Sequence, residues 1–288
     1  MSEPEYTQKA QSGAPPGSNP PPAGSGSGPA SGSGPTSGSD PTGAWPGKGG
    51  GLPARIGRYE VRAVLGEGSF GRVYHAFDAE LGREVAVKVP HKEVLSAAVR
   101  ERFLREARAT AAVHHPNVCP IYDVGTDGDV PFLVMRFIAG GTLGDLIGSR
   151  RQPPPVKFAV ATARQLALGV AAAHAEGVIH RDLKPENALW DDARRQVVVT
   201  DFGLARVGGE AGLTGKGDVL GTPLYMSPEQ WRGNPALVGP PADVYALGVI
   251  LYRMLTGETP YQGTVFEVMS QACEGKPRRP SELVPGLD

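Results

Sequence analysis

The octapeptide HRDLKPEN at residues 180–187, with an Asp-Phe-Gly triplet that begins at Asp201, is the stretch that decides the fold of this chain. Asp182 carries a carboxylate that can take a proton from a hydroxyl group. Asn187 and Asp201 supply the oxygen ligands that Mg²⁺, a hard cation, prefers. Lys184 can neutralise a phosphoryl group during its transfer. Because this octapeptide is very improbable by chance, we interpret it as a chemical site and not as a structural coincidence.

A glycine-rich segment stands upstream, with glycines at positions 66, 68 and 71. Glycines at this spacing let backbone N–H groups approach phosphate oxygens without a Cβ in the way. A dinucleotide-binding turn has similar spacing, but it runs from a strand straight into a helix, with an acidic residue about 20 positions later. Here the strand-like RVYHAF follows instead. Taken alone, the segment is weak evidence, and the alternative is a bare flexible hairpin.

The next motif is Val85-Ala-Val-Lys88, an apolar strand that ends in a lysine seventeen residues after Gly71. A lysine on such a strand is costly to bury unless it is paired with a negative charge. Glu106, on the helix that follows, faces the right way to be the partner. The alternative is a lysine that reaches solvent from a strand edge.

The pattern along the chain predicts an α+β fold with two lobes and a cleft between them. Strand-like runs fill the first part, and they are residues 59–65, RVYHAFDA, REVAVKV, VCPIYDVGT and PFLVMRFI, with one helix at 97–113. Helices dominate from residue 155 onward. The first is a long helix with an apolar face, which ends at Gly177, and the next two are ADVYALGVILYRMLTG and TVFEVMSQACEG. Of the three, the second is apolar nearly all round, so we expect it to be central.

Residues 1–51 differ from the rest, because they hold 13 of the 40 glycines and 10 of the 28 prolines. With almost nothing to bury, residues 1–55 are predicted to be a disordered Gly/Pro/Ser-rich tail, either a spacer or a docking and phosphorylation segment.

The net charge of −1 argues against nucleic-acid binding through a broad basic face. The two cysteines fit a reducing compartment, and the chain shows neither a secretory signal nor a membrane segment. We therefore expect a cytoplasmic location.

With these motifs in this order, the chain resembles the eukaryotic-type protein kinase family, and it is most similar to the bacterial serine/threonine branch. The resemblance implies a bilobal kinase-like domain over residues 56–288. Its small β-rich N-lobe, about residues 56–138, would carry one regulatory helix, and its larger C-lobe would be helical. Similar chains continue with two or three more helices, so we expect the C-lobe to be truncated and apolar faces of the two long helices to be exposed.

The resemblance also implies residue roles. The catalytic residues would be Asp182, Lys184, Lys88 and Thr222, and the Mg²⁺ ligands would be Asn187 and Asp201. ATP would be bound by Leu65, Gly66, Gly68, Gly71, Val73, Ala86, Lys88, Glu106, Met135, Arg136, Ile138 and Leu189. Among these, Met135 would be the gatekeeper, and the backbone of Arg136 and Ile138 would be the adenine-binding hinge. Similar chains usually carry glutamate in place of Arg136. Asp243 would brace the backbone of the HRD segment.

The implied activity is transfer of the γ-phosphoryl group of ATP to serine and threonine hydroxyls of proteins, with Mg²⁺ as the cofactor. The resemblance further implies autophosphorylation through self-association, and we predict Thr214 in the Gly-rich activation segment as its site. The alternative is an inert loop threonine. At the level of the whole chain, the alternative is a catalytically impaired pseudokinase or binding module, because the C-terminal helices are missing.

Overall fold

The structure is a computed structural model that describes residues 51–68, 70–149, 152–202 and 223–287. The structural statements below concern these residues. Three groups of sequence predictions lie outside them: the tail up to residue 50, Thr214 with Thr222, and the glycine of the Asp-Phe-Gly triplet.

Six antiparallel strands form one sheet in the order β1-β2-β3-β4-β6-β5. They are β1 (Arg55–Ile56), β2 (Tyr59–Glu67), β3 (Gly71–Asp78), β4 (Arg83–Pro90), β5 (Ile121–Asp127) and β6 (Val130–Arg136). Strand β3 alternates between buried and half-buried residues, as expected for a strand with one face on a core. Strand β6 is buried along nearly its whole length, because it lies between β4 and β5 in the sheet.

One helix, α1 (Ala97–Ala111), packs on this sheet against β5 and β6. Its N-terminus is capped by Ser96, whose hydroxyl accepts the Val99 N–H. Phe103 and Ala107 are buried beside Leu133 of β6. The β-rich lobe and its single helix thus follow the sequence pattern closely.

The second lobe is helical and contains one short hairpin. Its helices are α2 (Leu143–Gly148), α3 (Val156–Ala175), α4 (Pro228–Trp231), α5 (Pro240–Thr256), α6 (Val265–Glu274) and α7 (Pro280–Leu283). The hairpin is formed by β7 (Ala188–Asp191) and β8 (Gln196–Val199). Helix α3 is followed by Gly177 with φ +72°, which confirms the predicted glycine at this helix end.

Helices α3 and α5 pack against each other in the main core of this lobe, with Leu166, Val170 and Ile250 fully or almost fully buried. Their outer sides carry exposed apolar residues, as the sequence led us to expect for both long helices. Val160 of α3 is 52% exposed and Val244 of α5 is 60% exposed. Described residues therefore cover only one side of each helix.

By length and composition alone, α3 is the described helix that is long and apolar enough to cross a membrane. Core helices meet the same criterion, and α3 contacts both α5 and β8. The expectation that the chain has no membrane segment stays a prediction.

Asn117 lies where the β-rich lobe joins the helical lobe, and it binds both α3 and β8. Its side-chain nitrogen donates to the Val197 carbonyl over 2.7 Å, and its own carbonyl accepts the Val199 N–H over 2.8 Å. Gly169 of α3 faces this carbonyl so closely that a Cβ there would lie 2.7 Å from the Asn117 oxygen. The approach of α3 to the hairpin therefore requires glycine at this position.

We predict that Gly169→Ala lowers the free energy of unfolding by about 1–3 kcal/mol, because the new methyl group overpacks a backbone contact. Gly248→Ala is the matched control, since a Cβ on this glycine of α5 would meet nothing within 4 Å. It should instead raise stability by about 0.5–1 kcal/mol through helix propensity. Urea unfolding of both variants measures the difference, and equal effects would contradict the packing argument.

Candidate active site

The segment that carries Asp182 is held by Asp243, a residue in the first turn of α5. The Asp243 carboxylate is almost completely buried and accepts the N–H groups of His180 and Arg181, each over 2.8 Å. The ring nitrogen Nε2 of His174 lies 2.7 Å from the same carboxylate. Charged acceptors make the stronger hydrogen bonds, so this carboxylate fixes the backbone just before Asp182. The predicted brace by Asp243 is confirmed.

His180 supports the same segment from the inside. Its ring is fully buried, and burial lowers the pKa of the imidazole, so the ring is neutral. Nε2 lies 2.9 Å from the Thr200 carbonyl, which can only accept, so Nε2 carries the proton. The other nitrogen, Nδ1, is then an acceptor and receives the Asp182 N–H over 3.3 Å.

The side chains of the octapeptide meet at the Asp182 carboxylate. Lys184 donates from Nζ to Oδ2 over 2.8 Å, and Asn187 donates from Nδ2 to the same oxygen over 3.1 Å. The Asn187 nitrogen also donates to the Asp182 carbonyl over 2.7 Å. Since its nitrogen faces Asp182, the amide presents its oxygen to the opposite side. The structure thus brings three of the predicted residues into direct contact.

Asp201 joins this group through the backbone. The N–H of Thr200 donates to the Asn187 carbonyl over 2.9 Å, which ties the strand end before Asp201 to the octapeptide. Phe202 packs on the other side, with its ring centroid 4.8 Å from that of His180. Asp201 itself has φ +64°, an uncommon value for a residue other than glycine.

The predicted ion pair between Lys88 and Glu106 is wrong for this structure. The Lys88 ammonium instead lies 2.9 Å from Oδ1 of Asp201, with both side chains mostly buried. The Glu106 carboxylate lies 3.5 Å from the guanidinium of its neighbour Arg105. Lys88 needed a buried negative partner, as the sequence indicated, and Asp201 meets that need directly. Glu106 is therefore not part of the assembled group.

The donor set around Asp201 suits Mg²⁺. Oδ1 of Asp201 is buried and pairs with the Lys88 ammonium 2.9 Å away, so this oxygen already faces a cation. A carboxylate oxygen is also a hard ligand of the kind that Mg²⁺ prefers. The Asn187 amide oxygen is a second hard ligand. In the described part of the chain, no group of three or more His, Cys, Asp or Glu offers a rival metal site.

Predicted adenine-contacting residues collect in one apolar cluster between the lobes. This cluster contains Ala86, Cys119, Met135, Ile138 and Val198, with Val73 and Leu189 packed against it. Residues of both lobes thus meet there, on the side of the cleft next to Lys88. Leu65, by contrast, is 48% exposed on β2.

Cys119 in this cluster is not a nucleophile. Burial raises the pKa of its thiol to about 12, so the thiol is neutral at physiological pH.

The glycine-rich segment uses its glycines in two ways. A Cβ at Gly71 would lie 2.2 Å from the Val89 carbonyl oxygen, so close pairing of β3 with β4 requires glycine there. A Cβ at Gly66 would meet nothing within 4 Å. Packing against described residues therefore does not require glycine at position 66, and its predicted role at the phosphates stays a prediction.

His91, a residue that the sequence did not single out, fastens this segment. Its ring is 8% exposed, and Nε2 lies 2.9 Å from the Gly68 carbonyl, to which it donates. Nearby, Arg72 donates to the Glu67 carboxylate over 2.7 Å. The His91 contact holds the segment against the end of β4, and the Arg72 contact joins β3 to β2. No short motif around His91 signals its contact.

Arg136 makes a further contact between the lobes. Its guanidinium pairs with the Asp191 carboxylate at the end of β7, and both side chains are largely buried. The hinge is therefore joined by charge to the hairpin that follows the octapeptide. Sequence patterns drew attention to Arg136 as an unusual residue but did not identify Asp191.

The chain belongs to the protein kinase domain family, which matches residues 59–278. Among curated proteins it is 40% identical to the serine/threonine-protein kinase PknL of Mycobacterium tuberculosis over 80% of this chain and 57% of PknL. It is 44% identical to the serine/threonine-protein kinase pkn2 of Myxococcus xanthus over 72% of this chain and 25% of that protein. It is 38% identical to PrkC of Bacillus subtilis over 72% of this chain and 32% of PrkC.

These relatives support the resemblance to bacterial serine/threonine kinases. The chain spans a little over half the length of PknL and less of the other two. The role of each site residue stays a prediction. Thr222 lies outside the described residues.

We predict that His91→Phe weakens nucleotide affinity by about two- to tenfold, because the ring remains while one hydrogen bond of about 0.5–1.5 kcal/mol is lost. The nucleotide would then have to order the glycine-rich segment on binding. Titration with a fluorescent ADP analogue measures the effect. His114→Phe, an exposed histidine whose Nδ1 lies near the Ala112 carbonyl, is the control. Equal affinities for the two variants would contradict a role of His91.

Proposed function

We propose that this chain is an ATP-dependent serine/threonine protein kinase. One observation carries the proposal: the Asp182 carboxylate is in contact with Lys184 and Asn187, while Asp201 beside them is in contact with Lys88. A proton acceptor, two cations and two oxygen ligands are the groups that phosphoryl transfer from a nucleotide requires.

The proposed reaction needs no covalent enzyme intermediate. The substrate hydroxyl oxygen forms a bond to the γ-phosphorus of ATP, and the bond from that phosphorus to the bridging oxygen breaks, so that ADP leaves. The hydroxyl proton goes to the Asp182 carboxylate. Lys184, 2.8 Å from that carboxylate, is placed to neutralise the phosphoryl group as it moves. The transition state is loose, so positioning and charge neutralisation account for most of the catalysis.

Lys88 and Asp201 have separate tasks in this proposal. Lys88 binds the α- and β-phosphates, for which it must release Asp201. Asp201 and Asn187 would hold Mg²⁺. When bound, Mg²⁺ neutralises phosphate charge and orients the phosphoryl group. The apolar cluster between the lobes would take the adenine ring, with main-chain groups of the hinge as its hydrogen-bonding partners.

The substrates, location and assembly belong to the proposal as well. The curated relatives are named serine/threonine-protein kinases, which supports protein serine and threonine hydroxyls as acceptors. We extend the proposal to autophosphorylation by self-association and to the cytoplasm. Nucleic acid is not proposed as a partner. A pseudokinase is disfavoured, because Lys88, Asp182, Asn187 and Asp201 are all of the type that catalysis needs.

Transfer of label from [γ-³²P]ATP to a generic basic protein, followed by phosphoamino-acid analysis, tests the proposal. The full chain should produce phosphoserine and phosphothreonine in the presence of Mg²⁺, and none with EDTA. Lys88→Met and Asp201→Asn should each lower turnover by about a thousandfold or more, because each removes a group that acts on phosphate charge.

Two exposed residues provide matched controls for these changes. Lys92→Met changes a lysine on the short turn after β4, and Asp129→Asn changes an aspartate whose side chain is 95% exposed. Both should retain the wild-type rate. An Asp201→Asn protein that transfers phosphate as fast as the wild type would overturn the assignment.

A further inference from the structure

Gln230, in the short helix α4, connects the segment before that helix to the HRD segment. Its Oε1 accepts the backbone N–H of Ser227 over 3.0 Å and the Ser227 hydroxyl over 3.1 Å. Its Nε2 donates to the carbonyl of Arg181 over 2.6 Å. One half-buried amide thus bridges two segments that are about fifty residues apart in the chain.

The orientation of this amide is determined by its partners. A backbone N–H can only donate, so the atom that faces Ser227 is the amide oxygen. A backbone carbonyl can only accept, so the atom that faces Arg181 is the nitrogen. If the amide were flipped, its NH₂ group would face the Ser227 N–H and its oxygen would face the Arg181 carbonyl oxygen. The bridge therefore has a definite polarity.

The carbonyl that Gln230 binds belongs to the peptide unit that joins Arg181 to Asp182. The N–H of that same unit donates to Nδ1 of His180. Both polar ends of one peptide plane are therefore held, one by Gln230 and the other by His180. Since a peptide unit is planar, fixing both ends fixes its orientation and hence the direction in which Asp182 leaves the backbone.

This segment needs such support. Arg181 has φ +65°, an unfavourable value for a residue with a side chain, and such conformations persist only where several contacts enforce them. The Asp243 carboxylate already holds the N–H groups of His180 and Arg181. A carboxylate has no proton to donate to the Arg181 carbonyl, whereas the amide of Gln230 donates to it.

We propose that Gln230 is a positioning residue, which sets the orientation of the Asp182 carboxylate through the peptide unit between Arg181 and Asp182. The inference rests on the proposed function and adds to it a residue that neither nucleotide nor metal would touch. It assigns α4 a part in catalysis in addition to packing.

Gln230→Glu in the full chain tests this proposal. The substituted side chain keeps the size of glutamine and can still accept from Ser227, but it turns a carboxylate oxygen toward the Arg181 carbonyl. We expect kcat to fall by about tenfold to a hundredfold, the loss typical of a misplaced catalytic group. The KM for ATP should stay within about twofold, because the nucleotide groups are unaffected. Gln230→Ala should show the same division between kcat and KM.

Gln271→Glu is the control, since Gln271 of α6 also donates from its side-chain nitrogen to a backbone carbonyl, that of Gln262, over 2.9 Å. It should transfer phosphate at the wild-type rate. Hydrogen exchange gives a second readout that does not require activity. In Gln230→Glu the Asp182 amide should exchange faster than in the wild type, while the amide of Leu166 in the core of α3 should be unchanged.

Either of two results would overturn the inference. One is a kcat within about twofold of the wild type together with unchanged exchange at Asp182. The other is a parallel acceleration at Asp182 and Leu166 with KM changed as much as kcat, which would indicate general destabilisation. A wild-type chain that transfers no phosphate would refute the proposed function, and exchange at Asp182 would still decide whether Gln230 orients this peptide unit.

Discussion

The arrangement of the candidate site depends on one buried carboxylate, that of Asp243. It lies at the start of α5, in the core of the helical lobe, and accepts hydrogen bonds from two successive backbone N–H groups. A buried charge without partners would be strongly destabilising, so the carboxylate and the loop stabilise each other. The loop in turn carries Asp182, Lys184 and Asn187. The buried core of the lobe thereby sets the position of these three residues.

Two charged contacts connect this lobe to the β-rich lobe. Lys88 of β4 meets Asp201, and Arg136 at the end of β6 meets Asp191 of β7. Both are mostly buried, where the loss of one partner costs about 3–5 kcal/mol. They differ in what the proposed function asks of them. The Lys88 contact must open when a nucleotide binds, whereas the Arg136 contact can persist and keep the hinge joined to the hairpin of β7 and β8.

Much of the fold and of the candidate site could be predicted from the sequence, and the features that could not be predicted have physical reasons. Local patterns were sufficient for β3, α1 and the end of α3, where alternation, periodicity and a terminal glycine each reflect nearby residues. The octapeptide was recognisable because its chemistry lies within eight residues. The choice between Glu106 and Asp201 as the partner of Lys88 depended on packing in three dimensions, which a single sequence does not specify. His91 and Gln230 were missed because each acts on a distant backbone carbonyl, and any residue type can supply a carbonyl.

The rate of phosphoryl transfer by Asp243→Asn tests the central claim most directly. Asparagine keeps the size of the side chain but replaces one acceptor oxygen with an N–H₂ group, which cannot accept a backbone N–H. In protein shown by its thermal melt to be folded at the assay temperature, we predict a fall of about a hundredfold or more, because the loop would no longer hold Asp182 in place. A folded Asp243→Asn protein that transfers phosphate within about twofold of the wild-type rate would contradict the account.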